Sequence, residues 1–197
     1  MRYAHECYEV FKPSLPEELA ANLLGALKPQ MWERITLRQD FIGSAHKDTQ
    51  TIFINGPGGE GSNVLDDVSV TAYPDGIELA AIVLPVFKCF CTCVRFTSFG
   101  RVMIVRLKPN GHITAHVDEG KYADMFDRFH IVLQGSCLFR VNGHAFRPQE
   151  REMFWFNHKL EHEVWNDEDR PRIHMIVDAV APMWRERRDL AMAKEAA

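Results

Sequence analysis

The chain has 197 residues, 46% of them hydrophobic, and 23 basic against 27 acidic side chains give a formal charge of −4. That length and composition suit one domain with a substantial core. Mild acidity gives no global reason to hold nucleic acid, no basic-then-apolar leader is evident, and no apolar run reaches the roughly 18 residues of a membrane span, so the expectation is a soluble, cytoplasmic protein without nucleic-acid or membrane partners.

In chain order, Ser14-Leu15-Pro16-Glu17-Glu18 reads as a helix start, with Ser as cap, Pro in the first turn and acids at the positive end of the dipole. Leu19, Leu23, Leu24 and Leu27 continue it as one apolar stripe that ends between Gly25 and Pro29. Trp32 to Ile54 reads as strands, most clearly Thr51-Ile52-Phe53-Ile54. Gly56 to Asn63 is Gly-rich and forms a loop, either a connector or a lid. It lacks the Gly-Lys-Ser/Thr ending of a phosphate-binding loop. The apolar run from Ile77 to Phe96 is assigned a helix from about Pro85 to Cys93, with Pro85 in the first turn.

Beyond it the pattern changes to short strands separated by turns. The strands are Arg101–Leu107, Ile131–Leu133, Leu138–Val141, Met153–Phe156 and Ile173–Val177. Asn142-Gly143 is the strongest hairpin signal. Such spacing predicts a mainly β fold with flanking helices, a jelly roll or related double-sheet barrel. Trp184 to Ala197 reads as a terminal helix. The five cysteines are an odd number without a disulfide pattern. Cys89, Cys91 and Cys93 are too closely spaced for a closed zinc site, and Cys7 and Cys137 are too isolated to complete one, so all five read as free thiols.

His116-Val117-Asp118, a distant His162 and Arg172 carry the chemistry. On a strand, His116 and Asp118 share a face while Val117 turns away. Two His and one carboxylate can bind one face of a metal and leave the other open, as in oxygen-activating iron sites, although zinc hydrolases use similar donors. Arg172 lies in a strand pattern where Arg172, His174 and Ile176 share a face. An inward guanidinium there needs an anion, its bland alternative being a rim pair with Asp167, Glu168 or Asp169. His174 shares that inward face, and Arg38 and His46 are candidates for a substrate pocket above the barrel. His112 and His144 read as turn or surface residues, His158 need not share a face with His162, and Trp155 and Trp165 read as core or wall. No nucleophile-elbow pattern surrounds Ser44, Ser98 or Ser136.

The stretch Leu107-Lys108-Pro109-Asn110-Gly111-His112-Ile113-Thr114-Ala115-His116-Val117-Asp118 resembles the aspartyl/asparaginyl β-hydroxylase family. So do Arg128-Phe129-His130, Phe154-Trp155-Phe156-Asn157, Leu160-Glu161-His162-Glu163-Val164-Trp165-Asn166 and Arg172-Ile173-His174. The resemblance covers roughly residues 101–180. It implies a double-stranded β-helix oxygenase using Fe(II), O₂ and 2-oxoglutarate, with His116, Asp118 and His162 on iron and Arg172 on the distal carboxylate of 2-oxoglutarate. It further implies that Arg128 and His130 contact carboxylates of cosubstrate or substrate. Asp118 is a departure from the best-known animal members, which lack the acidic ligand.

The expected organisation is a single oxygenase domain over 1–197, with an N-terminal helix-and-strand elaboration (1–100), a β-helix core (101–180) and a C-terminal helix (181–197). The expected substrate is an amino acid or a peptidyl residue, and no feature specifies an oligomeric state. A cupin-like metal protein that does not use 2-oxoglutarate and a catalytically silent binding module are the rival readings.

Overall fold

The computed structural model describes residues 4–40, 44–58 and 64–195. Strands β1 (Ala4–His5) and β2 (Tyr8–Phe11) precede helix α1 (Glu17–Ala26), a 3₁₀ turn at Pro29–Trp32, the short helix α2 (Leu37–Asp40), β3 (Thr49–Gly56) and β4 (Thr71–Ala72). Helix α3 (Pro74–Cys93) leads into β5 (Ser98–Leu107), β6 (His112–His116), α4 (Gly120–Met125) and β7 (Asp127–Gln134). The chain ends with β8 (Leu138–Val141), β9 (His144–Phe146), β10 (Met153–Phe156), β11 (His162–Trp165), β12 (Arg172–Val180) and α5 (Pro182–Glu195).

Among the described residues the strands form two antiparallel sheets. The larger runs β1-β2-β10-β7-β12-β5-β3-β4 and the smaller β6-β11-β8-β9. The expected double-stranded β-helix is therefore observed. Strands from the first hundred residues complete the larger sheet: β3 pairs with β5, and β2 with β10.

Alternation assigns each side chain of the larger sheet to a layer. Ile104, Ile131, Met153, Trp155, Met175 and Val177 point outward and pack with Leu23, Leu79, Val83, Val86, Phe90 and Trp184 of the helices. Val10, Leu107, Val132, Phe154 and Phe156 point inward against Ile113, Phe139, Val141 and Val164 of the smaller sheet. The central strands are covered on both faces, which explains their nearly continuous apolar sequence. The β8–β9 hairpin turns at Asn142 (φ 48°) and Gly143 (φ 76°), the left-handed pair that its sequence signals.

Three expectations need correction. Among the described residues between Trp32 and Thr49 the chain forms turns and α2 rather than strands. α1 begins at Glu17 with Pro16 as its cap residue, and no side chain, Ser14 included, caps it.

The third correction is to α3, which begins at Pro74 and carries Pro85 in its interior. Pro74 takes the first-turn role, where a missing N–H is harmless. Burial of Leu79, Val83, Val86 and Phe90 outweighs the backbone bond lost at Pro85. The 20-residue helix contains an 18-residue window of mean hydropathy 1.8, so among the described residues one helix is, by length and composition, long and apolar enough to cross a membrane, contrary to the expected absence of such a run. Dividing the run at Pro85 concealed that length. The lid expectation falls largely on residues 59–63, outside the described residues.

Candidate metal centre and anion pocket

His116 ends β6, and its backbone partner across the smaller sheet is His162, the first residue of β11. This register brings the two imidazoles to 4.2 Å between centroids. Asp118 lies just beyond the strand end, so strand alternation does not orient it. Its loop is pinned instead by Asp118 N–H donating to the His158 carbonyl at 3.0 Å. One donor atom from each of His116, Asp118 and His162 lies within 4.8 Å of the others, the one such cluster found among the described residues.

The tautomers suit a metal. His116 Nδ1 lies 2.7 Å from the Thr114 carbonyl and His162 Nδ1 2.9 Å from the Leu160 carbonyl. A carbonyl can only accept, so in each neutral ring Nδ1 carries the hydrogen and Nε2 presents a lone pair. Burial lowers the His162 pKa to about 4, keeping the ring neutral. Burial alone would raise the Asp118 carboxyl, but Arg128 and the surrounding histidines outweigh it and hold the group well below the usual carboxylate range. His116 Nε2 is buried without a hydrogen-bond partner among the described residues. Two imidazole lone pairs and an ionised carboxylate on one face are the donor set for a divalent cation with open positions.

Arg172 projects into the same interior from β12. It is 1% exposed, and its Nε and Nη1 atoms have no partner among the described residues. The acids weighed as rim partners are engaged elsewhere: Asp167 accepts from Arg147, Glu168 from Arg170 and Asp169 from Asn110. Burial lowers the Arg172 pKa, with the Cys137 thiol as a compensating neighbour. The guanidinium also lies 5.7 Å over the Phe139 ring.

His174 and His130 meet on adjacent strands, Nδ1 to Nδ1 at 3.1 Å, and both Nε2 atoms are buried without partners. Burial and then Arg172 push both pKa values well below the ordinary histidine value. Buried polar atoms without partners are rare in folded proteins. With Arg172 the two rings form a buried polar cluster that has donor capacity to spare.

Arg38 and His46 are also brought to the site. Arg38 Nη2 is 2.9 Å from His46 Nε2, and the His46 ring stands edge-on to His116 at 5.0 Å. Burial, then Arg128, lowers the Arg38 pKa to about 10. These residues with Arg128, His130, His162 and Arg172 line a small, partly open cavity of about 30 Å³. Larger hollows of about 600 and 530 Å³ lie on the surface, beside α5 and over α3, away from this cluster.

Arg128 does more than line the cavity. It donates to Asp118 Oδ2 at 2.6 Å and to both carboxylate oxygens of Asp178 at 2.9 and 3.2 Å. Asp178 was legible only as the next inward position after Arg172, His174 and Ile176. Tyr122, whose hydroxyl reaches Asp178, carried no sequence signal. His158 is buried with its Nε2 on the Ala123 carbonyl, His112 stacks on Trp165, and Trp155 is core. All five cysteines are free.

The family described as aspartyl/asparaginyl beta-hydroxylase matches residues 75–182, more than half of the chain. Among solved structures, the viral collagen prolyl hydroxylase of Paramecium bursaria Chlorella virus-1, a 2OG complex, is 12% identical with a TM-score of 0.52. That match covers 88% of this chain and 96% of the viral one. The Schizosaccharomyces pombe Cnp3 cupin domain is 16% identical with a TM-score of 0.37, covering 48% of this chain and 69% of that domain. A predicted oxalate decarboxylase from Thermotoga maritima is 15% identical with a TM-score of 0.35, covering 42% and 67%. No curated protein matches the chain.

Proposed function

Because this chain belongs to the aspartyl/asparaginyl β-hydroxylase family, we propose that it is an Fe(II)- and 2-oxoglutarate-dependent oxygenase that hydroxylates a C–H bond of an amino acid or peptidyl residue. The observation that carries this reading is a three-donor open face beside a buried guanidinium with no carboxylate partner among the described residues. A metal alone does not require Arg172; a dicarboxylate spanning metal and guanidinium does.

His116, Asp118 and His162 would hold the metal, and Arg172 the distal carboxylate of the cosubstrate. When bound, iron and 2-oxoglutarate would supply the oxidising chemistry, in which O₂ and the oxoacid yield succinate and CO₂ and one oxygen atom enters the substrate C–H bond. The protein's own part is positioning. His130 lines the cavity, backed by His174, and the neutral pair does not compete for protons; Phe139, Phe156 and Ile176 complete the apolar wall.

Substrate recognition falls to Arg38 and His46. Arg128 is occupied by Asp118 and Asp178, whereas among the described residues the Arg38 side chain bonds only to the His46 ring and, at 3.7 Å, to Met103 Sδ. That supports a carboxylate-bearing substrate held at the mouth.

The test is O₂-dependent succinate formation from 2-oxoglutarate with Fe(II), comparing wild type with His116→Ala and Arg172→Ala, alongside a mass-spectrometric screen of amino acids and peptides for a gain of one oxygen. Turnover lost in both variants is expected. Metal-dependent turnover that ignores 2-oxoglutarate would favour the cupin-like alternative, and no turnover with any substrate would sink the proposal.

A further inference from the structure

The two oxygens of Asp118 are not equivalent. Oδ1 faces His116 Nε2 at 3.6 Å, on the side where the donor atoms converge, while Oδ2 is held by Arg128 Nη1 at 2.6 Å. Arg128 is in turn fixed by both oxygens of Asp178, which is 1% exposed. Asp178 lies where the β12–β5 register shifts between Val177 and Ala179, an irregularity of the kind that re-aims a side chain. Tyr122 completes the line: its hydroxyl donates to Asp178 Oδ2 at 3.1 Å and accepts from Arg101 N–H at 2.6 Å. Helix α4, which bears Tyr122, begins two residues after Asp118, so the loop carrying the ligand also carries the end of its own support.

We propose that Arg128 is a positioning residue for the metal centre, held in place by Asp178 and Tyr122, that occupies Asp118 Oδ2 and leaves Oδ1 alone to bind metal. This rests on the reading of Asp118 as a metal ligand. It assigns Arg128 a different task from the cosubstrate contact implied by family resemblance. The planar fork fixes the directions of its bonds to both carboxylates, which the rotatable ammonium of a lysine does not. It also restricts the coordination number: a bidentate carboxylate would take one of the positions that an open face must keep free.

The experiment uses the full chain with Co(II) alone, reading affinity by titration and geometry from the visible absorption bands, followed by 2-oxoglutarate affinity at saturating metal. Arg128→Lys and Asp178→Asn are expected to weaken Co(II) binding about tenfold or more and to alter the bands, since outer partners of metal ligands typically carry that much affinity. Tyr122→Phe is expected to act in the same direction by less, and it preserves the test if Asp178→Asn fails to fold by circular dichroism. Variants with wild-type cobalt affinity and spectrum would overturn the proposal. So would loss confined to 2-oxoglutarate binding, which would return Arg128 to the cosubstrate. A wild-type chain that binds no Co(II) would overturn the metal reading itself, and this proposal with it.

Discussion

His130 and His174 face each other through their Nδ1 atoms at 3.1 Å, buried between two sheets with Arg172 beside them. With both rings neutral, a single hydrogen lies between the two Nδ1 atoms. One outer Nε2 is then an N–H donor and the other a bare acceptor. A carboxylate held by Arg172 could accept from that donor. His174→Phe is therefore expected to weaken 2-oxoglutarate binding to Mn(II)-loaded protein by about tenfold, or ~1.4 kcal/mol, with metal affinity unchanged. Calorimetric titration distinguishes this from a purely structural role, in which both affinities would move together.

Arg172 is held at the expense of stability. A guanidinium buried without a carboxylate is unfavourable until an anion arrives. Arg172→Met, similar in volume, is expected to raise the stability of the ligand-free chain by about 1–3 kcal/mol, a melting-temperature gain of a few degrees. The stabilisation that 2-oxoglutarate confers on the wild type should vanish in the same variant. Thermal unfolding with and without the oxoacid checks both, and a less stable Met variant would show that Cys137 and Phe139 already compensate the charge.

Asp127 gives a pH dependence unrelated to the metal centre. Burial, opposed by Arg188 and Arg185, raises its carboxyl pKa from 3.8 to about 6. Its Oδ1 is 3.5 Å from Arg188 Nη1, and its Oδ2 has no partner among the described residues. Because the folded pKa lies above the unfolded one, the folded state favours the protonated form. The favourable contribution is whole below about pH 4 and is lost as pH rises through 6. Asp127→Asn should therefore be more stable than wild type at pH 8, by ~1–3 kcal/mol, and converge with it near pH 4. Urea unfolding across that range checks it; a gap that does not change with pH would refute it.

Gly76 is in the first turn of α3, where the helix crosses β3, and a Cβ there would collide with the Ile54 carbonyl. Gly76→Ala is expected to cost about 1–3 kcal/mol, because either the helix or the strand must move. Denaturant unfolding of the variant measures this. Because β3 carries Thr51 and Phe53 on the inner face, reduced cosubstrate affinity should accompany the loss.

The metal donors and Arg172 were legible because chemistry restricts residue type and spacing together. His-x-Asp alone is common by chance; Arg172 and the ordered motifs around it gave the set its weight, and Arg172, His174 and Ile176 alternate onto one face. Helix α3 was misread for an equally physical reason. An apolar run has no period that marks where it begins, and Pro85 carries the same local signal inside a helix as at its start; only packing of Leu79 and Val83 on the sheet decides.

By itself, the sequence determined the double-sheet architecture, through alternation and turn signals, and it singled out His116, Asp118, His162 and Arg172 as the candidate metal-binding and anion-binding groups, through donor chemistry and family resemblance. Only the tertiary structure decided what Arg128 is bonded to, which oxygen of Asp118 it occupies, and that Arg38, unlike Arg128, has no carboxylate partner among the described residues. Those facts depend on register between strands distant in the chain, and on which of several carboxylates comes within 3 Å of a guanidinium. Residue spacing along a chain does not encode a distance across a sheet.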